Sequence, residues 1–136
     1  MYLLDTNACI ALINNTAPLV RTRFEKAVLA DAKVHVSAIV AFELWYGVGK
    51  SERSESNART VETFLAGRVT LLPFEFEDAK VADRVRASLE IAGKPIGAYD
   101  VLIAAQALRH QFTLVTANVG EFRRVKGLAW EDWAKG

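Results

Sequence analysis

Tyr2-Leu3-Leu4-Asp5-Thr6-Asn7-Ala8-Cys9-Ile10-Ala11-Leu12-Ile13 opens the chain as a three-residue apolar run, an acid, and a second apolar stretch. The run reads as a short strand, Asp5 as the residue at its carboxyl end, and Ala8 to Ile13 as a helical turn or two before the polar stop Asn14-Asn15-Thr16. The same unit recurs outward from there. Pro18 suits a first helical position, and Leu19, Phe24, Val28 and Leu29 form a rough apolar stripe beside Arg21, Arg23, Glu25 and Lys26. Val34 to Val36 reads as a strand and Ser37 as an N-cap, followed by a helix over Ile39 to Tyr46 that Gly47-Val48-Gly49 is expected to end. Val61, Phe64 and Leu65 give the next helix its buried face, and Val69 to Leu72 is a third strand. Val81, Val85 and Leu89 then recur every four residues in a helix reaching Ile91. Tyr99 to His110 is an apolar helix, Thr113 to Val115 a strand, Gly120 to Phe122 a turn, and Leu128 to Trp130 a last edge strand. Strands alternating with helices predict an α/β fold: a central, mainly parallel sheet with helices on both faces and a ligand crevice at the strands' carboxyl ends.

The composition agrees with one domain spanning 1–136. A chain of 136 residues can bury ~65–70% of its unfolded surface. With 51% hydrophobic and 24% charged residues, 3 Pro and 8 Gly, it is neither disordered nor low-complexity. A formal charge of +1 leaves room for a local basic groove and is otherwise silent about nucleic acid. Cys9 stands alone and cannot close an internal disulfide, and with only His35 and His110 beside it there is no zinc cage of ordinary spacing. The reducing cytoplasm is the expected location. No apolar run approaches the ~18 residues that a membrane span needs, and the amino terminus lacks a basic export region.

Three acids stand out. Asp5 follows a strand and, on the ordinary reading, caps the next helix. Glu43 is isolated inside Ile39-Val40-Ala41-Phe42-Glu43-Leu44-Trp45-Tyr46, where a buried, unpartnered charge would be costly, so it either stands at the edge of a mostly apolar helix, pairs with a distant Arg, or is held by a metal ion. Asp100 sits between Pro95-Ile96-Gly97-Ala98-Tyr99 and Val101-Leu102-Ile103-Ala104-Ala105, again at a helix start. Past the Thr113 strand, Thr116 and Asn118 offer hydrogen bonds, and Glu121 a fourth carboxylate. An all-oxygen set suits Mg²⁺ or Mn²⁺ rather than zinc or copper. Such an ion activates water and polarises a phosphoryl oxygen, and without it carboxylates would repel a phosphodiester.

These segments resemble the PIN-domain ribonucleases, and more narrowly the VapC toxins of VapBC toxin–antitoxin modules. The resemblance runs through Leu3-Leu4-Asp5-Thr6-Asn7, Ser37 with Glu43-Leu44-Trp45-Tyr46-Gly47, Gly93-Lys94-Pro95-Ile96-Gly97-Ala98-Tyr99-Asp100, Val115 to Phe122 and Leu128-Ala129-Trp130-Glu131-Asp132-Trp133. It implies a Mg²⁺- or Mn²⁺-dependent endoribonuclease with Asp5, Glu43 and Asp100 as catalytic acids. Glu121 joins them as a further metal ligand, and Thr6, Asn7, Ser37, Thr116 and Asn118 support the site. Many PIN domains carry an aspartate where this chain has Asn118, so the fourth acid is either absent or Glu121. The resemblance further implies cleavage of initiator tRNA in its anticodon stem-loop, a homodimer, and inhibition by a VapB antitoxin whose tail crosses the active groove.

RNA approaching an acidic site needs cations at the rim, and Lys50, Arg53, Lys94, Arg123, Arg124 and Lys126 flank the motifs. Phe42, Trp45 and Tyr46 read as core or dimer interface, Trp130 and Trp133 as anchors of the chain's end, and Cys9 as a small buried hydrophobe. Two rivals share the sequence: a small phosphohydrolase with Asp5 as nucleophile, disfavoured because Asn7 stands where its motif wants a second aspartate, and a non-catalytic PIN-like binding module.

Overall fold

The central runs at residues 3–4, 34–36 and 114–115 become strands because their mostly apolar side chains, on both sides of the chain, are buried only in a sheet covered on both faces, while the edge strands stay partly exposed. β1 (Tyr2–Leu4) lies at the centre, with β2 (Val34–Ser37) and β3 (Thr70–Leu72) outward on one side and β4 (Thr113–Val115) and β5 (Trp130–Glu131) on the other. All four pairings are parallel, with Leu4 in register with both Val36 and Val115. Leu3, Leu4, Val34, Val36, Leu114 and Val115 are buried. The computed structural model describes residues 1–135.

The chain runs from β1 outward through β2 to β3, then returns across the sheet to β4. The order therefore reverses between β1 and β4, and at such a switch point the connections diverge and leave a crevice at the carboxyl ends. On the first run lie α1 (Thr6–Asn14), α2 (Pro18–Leu29), α3 (Ala38–Gly49) and α4 (Ser54–Leu65). The return is made by α5 (Phe76–Ile91) and α6 (Ala98–His110), which pack along each other, and the short α7 (Val119–Phe122) follows β4.

Local chemistry sets the helix starts. Asp5 caps α1, accepting from the Ala8 N–H at 2.8 Å, and Pro18 opens α2. Ser37 caps α3 by accepting from the Ile39 N–H at 3.0 Å. The same hydroxyl donates to Gln106 Oε1 on α6, and Gln106 Nε2 donates to the Pro73 carbonyl at 3.1 Å, so one buried side chain ties α6 to the starts of α3 and α5. Asp78, fully buried, accepts from Arg109 Nε at 2.6 Å, while Arg109 Nη2 donates to Glu75 at 2.8 Å, which locks the start of α5 to the end of α6.

Three expectations are corrected. Helix α3 does not end at Gly47 but runs through to Gly49, because Leu44 and Val48 are packed into the core and that burial outweighs the ~1 kcal/mol that each helical glycine costs. Gly120 to Phe122 belong to the short helix α7 rather than to a turn. The last strand is Trp130–Glu131 rather than Leu128 to Trp130, since β4 has partners to offer only at Leu114 and Val115 while Leu128 packs against the core. Trp133 is buried edge-on against Tyr2 at 5.1 Å and anchors the end of the chain, whereas Trp130 is exposed on the edge strand.

Candidate active site

Asp5 lies at the carboxyl end of β1, where its backbone N–H donates to the Val115 carbonyl of β4 at 3.0 Å. Its carboxylate is buried and receives hydrogen bonds from Ala8 N–H and the Thr116 hydroxyl. Burial pushes this carboxyl above the ordinary carboxylate range. The two hydrogen bonds oppose that shift, and the negative charges of Glu43 and Asp132 add to it. Cap and pocket residue are thus one and the same side chain.

Asp100 stands on the first turn of α6, one turn past Gly97. It does not cap the helix. A methyl group at Gly97 would come within 3.2 Å of Asp100 Oδ2, so glycine there keeps the space that this carboxyl occupies. Burial raises Asp100 most, followed by a hydrogen bond shared with Glu121 and by the charges of Glu121, Glu43 and Asp5; together they push it from 3.8 up to about 7. Glu43, on α3, accepts from the Thr6 hydroxyl at 2.7 Å. Glu121 accepts from Asn118 Nδ2 at 2.9 Å, and Thr116 Oγ1 accepts from the Asn118 N–H at 2.9 Å. The charges of Asp5, Glu43 and Glu121 all act on Asp100, so the four acids lie close to one another at the switch point, delivered by β1, α3, α6 and α7.

Asp132, just past β5, also raises Asp5, and sequence reasoning passed over it. No local signal marks it, since it follows Glu131 at the end of a two-residue strand and meets Asp5 only through the pairing of β5 with β4. Of the other expected residues, Thr6, Thr116 and Asn118 bond directly to the acids. Asn7 is exposed on α1. Ser37 faces the core and Gln106 rather than the acids, so its reach to the site is through the start of α3. Lys50, Arg53, Lys94, Arg123, Arg124 and Lys126 are all exposed. Lys50 lies over the Tyr46 ring at 5.2 Å, and Arg124 donates to the Pro95 carbonyl at 3.0 Å. Of the two readings of Phe42, Trp45 and Tyr46, core and dimer interface, the first is corrected because all three are exposed; Phe42 meets Tyr99 edge-on at 5.8 Å.

The pocket's donors are all carboxylate oxygens, and their mutual repulsion, visible in Asp100, calls for a cation. Among the described residues, the one trio with ligand atoms all within 4.8 Å of one another lies elsewhere, at Glu75, Asp78 and His110. There Arg109 already neutralises both carboxylates. The pocket acids are spread more widely, which suits an ion that keeps much of its water, as Mg²⁺ does. A groove of about 400 Å³ lined by Ile10, Ile13, Leu44, Val48 and Val61 runs between α1, α3 and α4 and has Glu43 on its wall.

A five-stranded parallel sheet with acids converging at the ends of its central strands is the arrangement of a PIN domain, and residues 2–128 match the PIN domain family. The tRNA(fMet)-specific endonuclease VapC of Shigella flexneri is 38% identical over 133 residues, 98% of each chain. Ribonuclease VapC2 of Rickettsia felis is 36% identical over 99% of each. The crystal structure of VapBC2 from Rickettsia felis, bound to a DNA fragment from their promoter, superposes with a TM-score of 0.91 at 35% identity, covering 97% of this chain and 98% of that one. DNA-bound VapBC from Salmonella typhimurium gives 0.89 at 36%, covering 97% of both. The chain belongs to the VapC ribonucleases of the PIN-domain family.

Proposed function

We propose that this chain is the toxin of a type II toxin–antitoxin module, a Mg²⁺- or Mn²⁺-dependent endoribonuclease that cuts tRNA, with initiator tRNA at the anticodon stem-loop as its target. The observation that carries the reading is the closeness of Asp5, Glu43, Asp100 and Glu121, whose charges act on one another, in a chain similar over nearly its whole length to ribonucleases. A divalent ion there would supply Lewis-acid chemistry, activating a water and polarising a phosphoryl oxygen for hydrolysis of the phosphodiester. Asp5 and Asp100 would hold the ion. Thr116 fixes Asp5 from the neighbouring strand, and Thr6 fixes Glu43, the third acid. Glu121 would take the fourth place, oriented by the hydrogen bond from Asn118 Nδ2.

The exposed cations supply the phosphate contacts that an acidic pocket cannot. A VapB-type antitoxin is the expected protein partner. The groove beside Glu43 offers its tail an apolar seat, with an acid to receive a basic side chain. A homodimer fits the exposed aromatic face of Phe42, Tyr46 and Tyr99. No helix among the described residues is long and apolar enough to cross a membrane, and the cytoplasm is the proposed location.

The test is cleavage of initiator tRNA by the purified chain. EDTA should stop it, Mn²⁺ or Mg²⁺ should restore it, and sequencing the 5′ ends of the fragments should place the cut. Cleavage that survives EDTA removes the metal mechanism.

A pH dependence follows from Asp100. Its folded-state value of about 7 lies above the ordinary 3.8, so the folded form holds this proton more tightly than the unfolded chain, and the cation-free protein loses stability as pH rises from about 4 to 7. A cation favours the ionised form. The rise in melting temperature on adding Mn²⁺ is therefore expected to be larger at pH 8 than at pH 5.5, measured by scanning fluorimetry; equal shifts at both values would place the ion away from Asp100.

A further inference from the structure

A cavity of about 230 Å³ lies between α5, the end of α6 and the segment that follows α7. Its floor is apolar, made by Val81, Val85, Leu89, Leu108 and Val125, and its rim carries Arg84, Arg124 and Lys126 with no acid among the lining residues. Two other cations of α5 are paired along their own helix: Arg86 meets Glu90 at 3.5 Å, and Lys80 meets Glu77 at 3.6 Å. Among the described residues, none of the three rim cations lies within 4.0 Å of a carboxylate. The Arg124 guanidinium donates instead to the Pro95 carbonyl, in the loop that leads into Asp100, and Arg124 follows Glu121 by three residues. The slot and the acid pocket are thus joined by one short strap.

We propose that this slot is a second RNA subsite that takes one unstacked nucleotide of the substrate, its base against Val85, Leu89 and Leu108 and the flanking phosphates on Arg84, Arg124 and Lys126. The proposal rests on the ribonuclease reading and deepens it. An apolar floor ringed by unpaired positive charge matches a ligand with a flat apolar body and repeated negative charges, which describes a nucleotide in its strand. The location fits as well. A phosphodiester brought to the four acids meets repulsion on both sides of the reacting phosphate, and cations just beyond the pocket offset it. An apolar slot also holds the strand in place after counterions have been released, as charge alone does not.

The test separates charge from slot and binding from cleavage. Affinity for an initiator tRNA transcript is measured at several salt concentrations in the Asp5→Asn chain, which is not expected to cut. Ser88 stands exposed at the slot's lip, and Ser88→Phe fills the cavity without changing charge. Arg84→Glu reverses one rim charge. Each is expected to weaken binding about tenfold; Arg84→Glu should also flatten the dependence of log affinity on log salt by about one, while Ser88→Phe leaves that slope unchanged. If either variant melts early, Arg84→Gln and Ser88→Leu give the same two readings with less perturbation. Unchanged affinity in the filled slot overturns the subsite, and so does a loss of antitoxin binding with RNA binding intact, which would assign the slot to a protein. Absence of RNA cleavage by the unmodified chain would instead strike the ribonuclease reading, on which these binding measurements do not depend.

Discussion

Asp5→Asn is expected to lower RNA cleavage by on the order of a thousandfold or more and to abolish growth inhibition, while the protein stays folded. Asparagine is as good an N-cap as aspartate, so the bond from Ala8 N–H to the side chain, and with it the start of α1, survives. What disappears is a buried negative charge. The folded-state carboxyl of Asp5 sits above its ordinary range, so the ionised side chain is a stability cost that is fully present at high pH and relieved on acidification. Asp5→Asn should therefore melt no lower than the unmodified chain at pH 8, and its advantage should shrink at pH 5. Loss of activity combined with retained or raised stability is the signature of a residue kept for chemistry rather than for the fold. Glu43→Gln is expected to lose activity as well, because it removes a charge from the same site while keeping an acceptor for the Thr6 hydroxyl. An active Glu43→Gln together with a phosphate trapped covalently on Asp5 would instead identify a phosphohydrolase. Undiminished toxicity of soluble Asp5→Asn would count against the enzyme altogether.

The largest expected loss of stability comes from Phe122→Ala. Phe122 is 1% exposed and is the largest of the fully buried side chains. Truncating a buried phenylalanine costs about 3–5 kcal/mol, on the order of 10 °C in melting temperature for a chain of this size. The consequence extends to the site. α7 has only 4 residues, too few to hold a helix by its own hydrogen bonds, so Phe122 and Val125 packing into the core keep it in place. Glu121 precedes Phe122 and meets Asp100, so loosening α7 removes both the hydrogen bond and the charge that raise Asp100. Phe122→Ala is thus expected to weaken Mn²⁺ binding as well as stability, read by denaturant unfolding with and without the ion. A cost below about 1 kcal/mol would show that α7 is held by something other than this ring.

Much of the fold could be read from local pattern. Apolar triplets ending in Asp5, Ser37 and Thr116 marked three strands, and Pro18 and Ser37 marked helix starts, because caps and fixed φ angles act within a few residues. Where the reading failed, long-range packing decided. Gly47 and Gly49 look like a helix stop, yet α3 continues because its neighbours bury Leu44 and Val48. Phe42 and Tyr46 read as core or dimer interface, and their exposure removes the first, since aromatic content says nothing about which face of a helix meets the sheet. Asp132 was missed because its closeness to Asp5 depends on β5 lying beside β4. Likewise, nothing in the spacing of Glu75, Asp78 and Arg109 announced their ion-pair network between α5 and α6.

The amino-acid sequence by itself determined the class of fold, the strand-end position of Asp5 and the set of acids worth suspecting, because alternation of short apolar runs with amphipathic helices is a property of neighbouring residues. Only the tertiary structure decided that those acids share a pocket. The sheet order β3-β2-β1-β4-β5 sets Thr116 beside Asp5 and lets α3, α6 and α7 converge on them. Electrostatic repulsion between carboxylates acts through space, over distances that the chain's own numbering does not record.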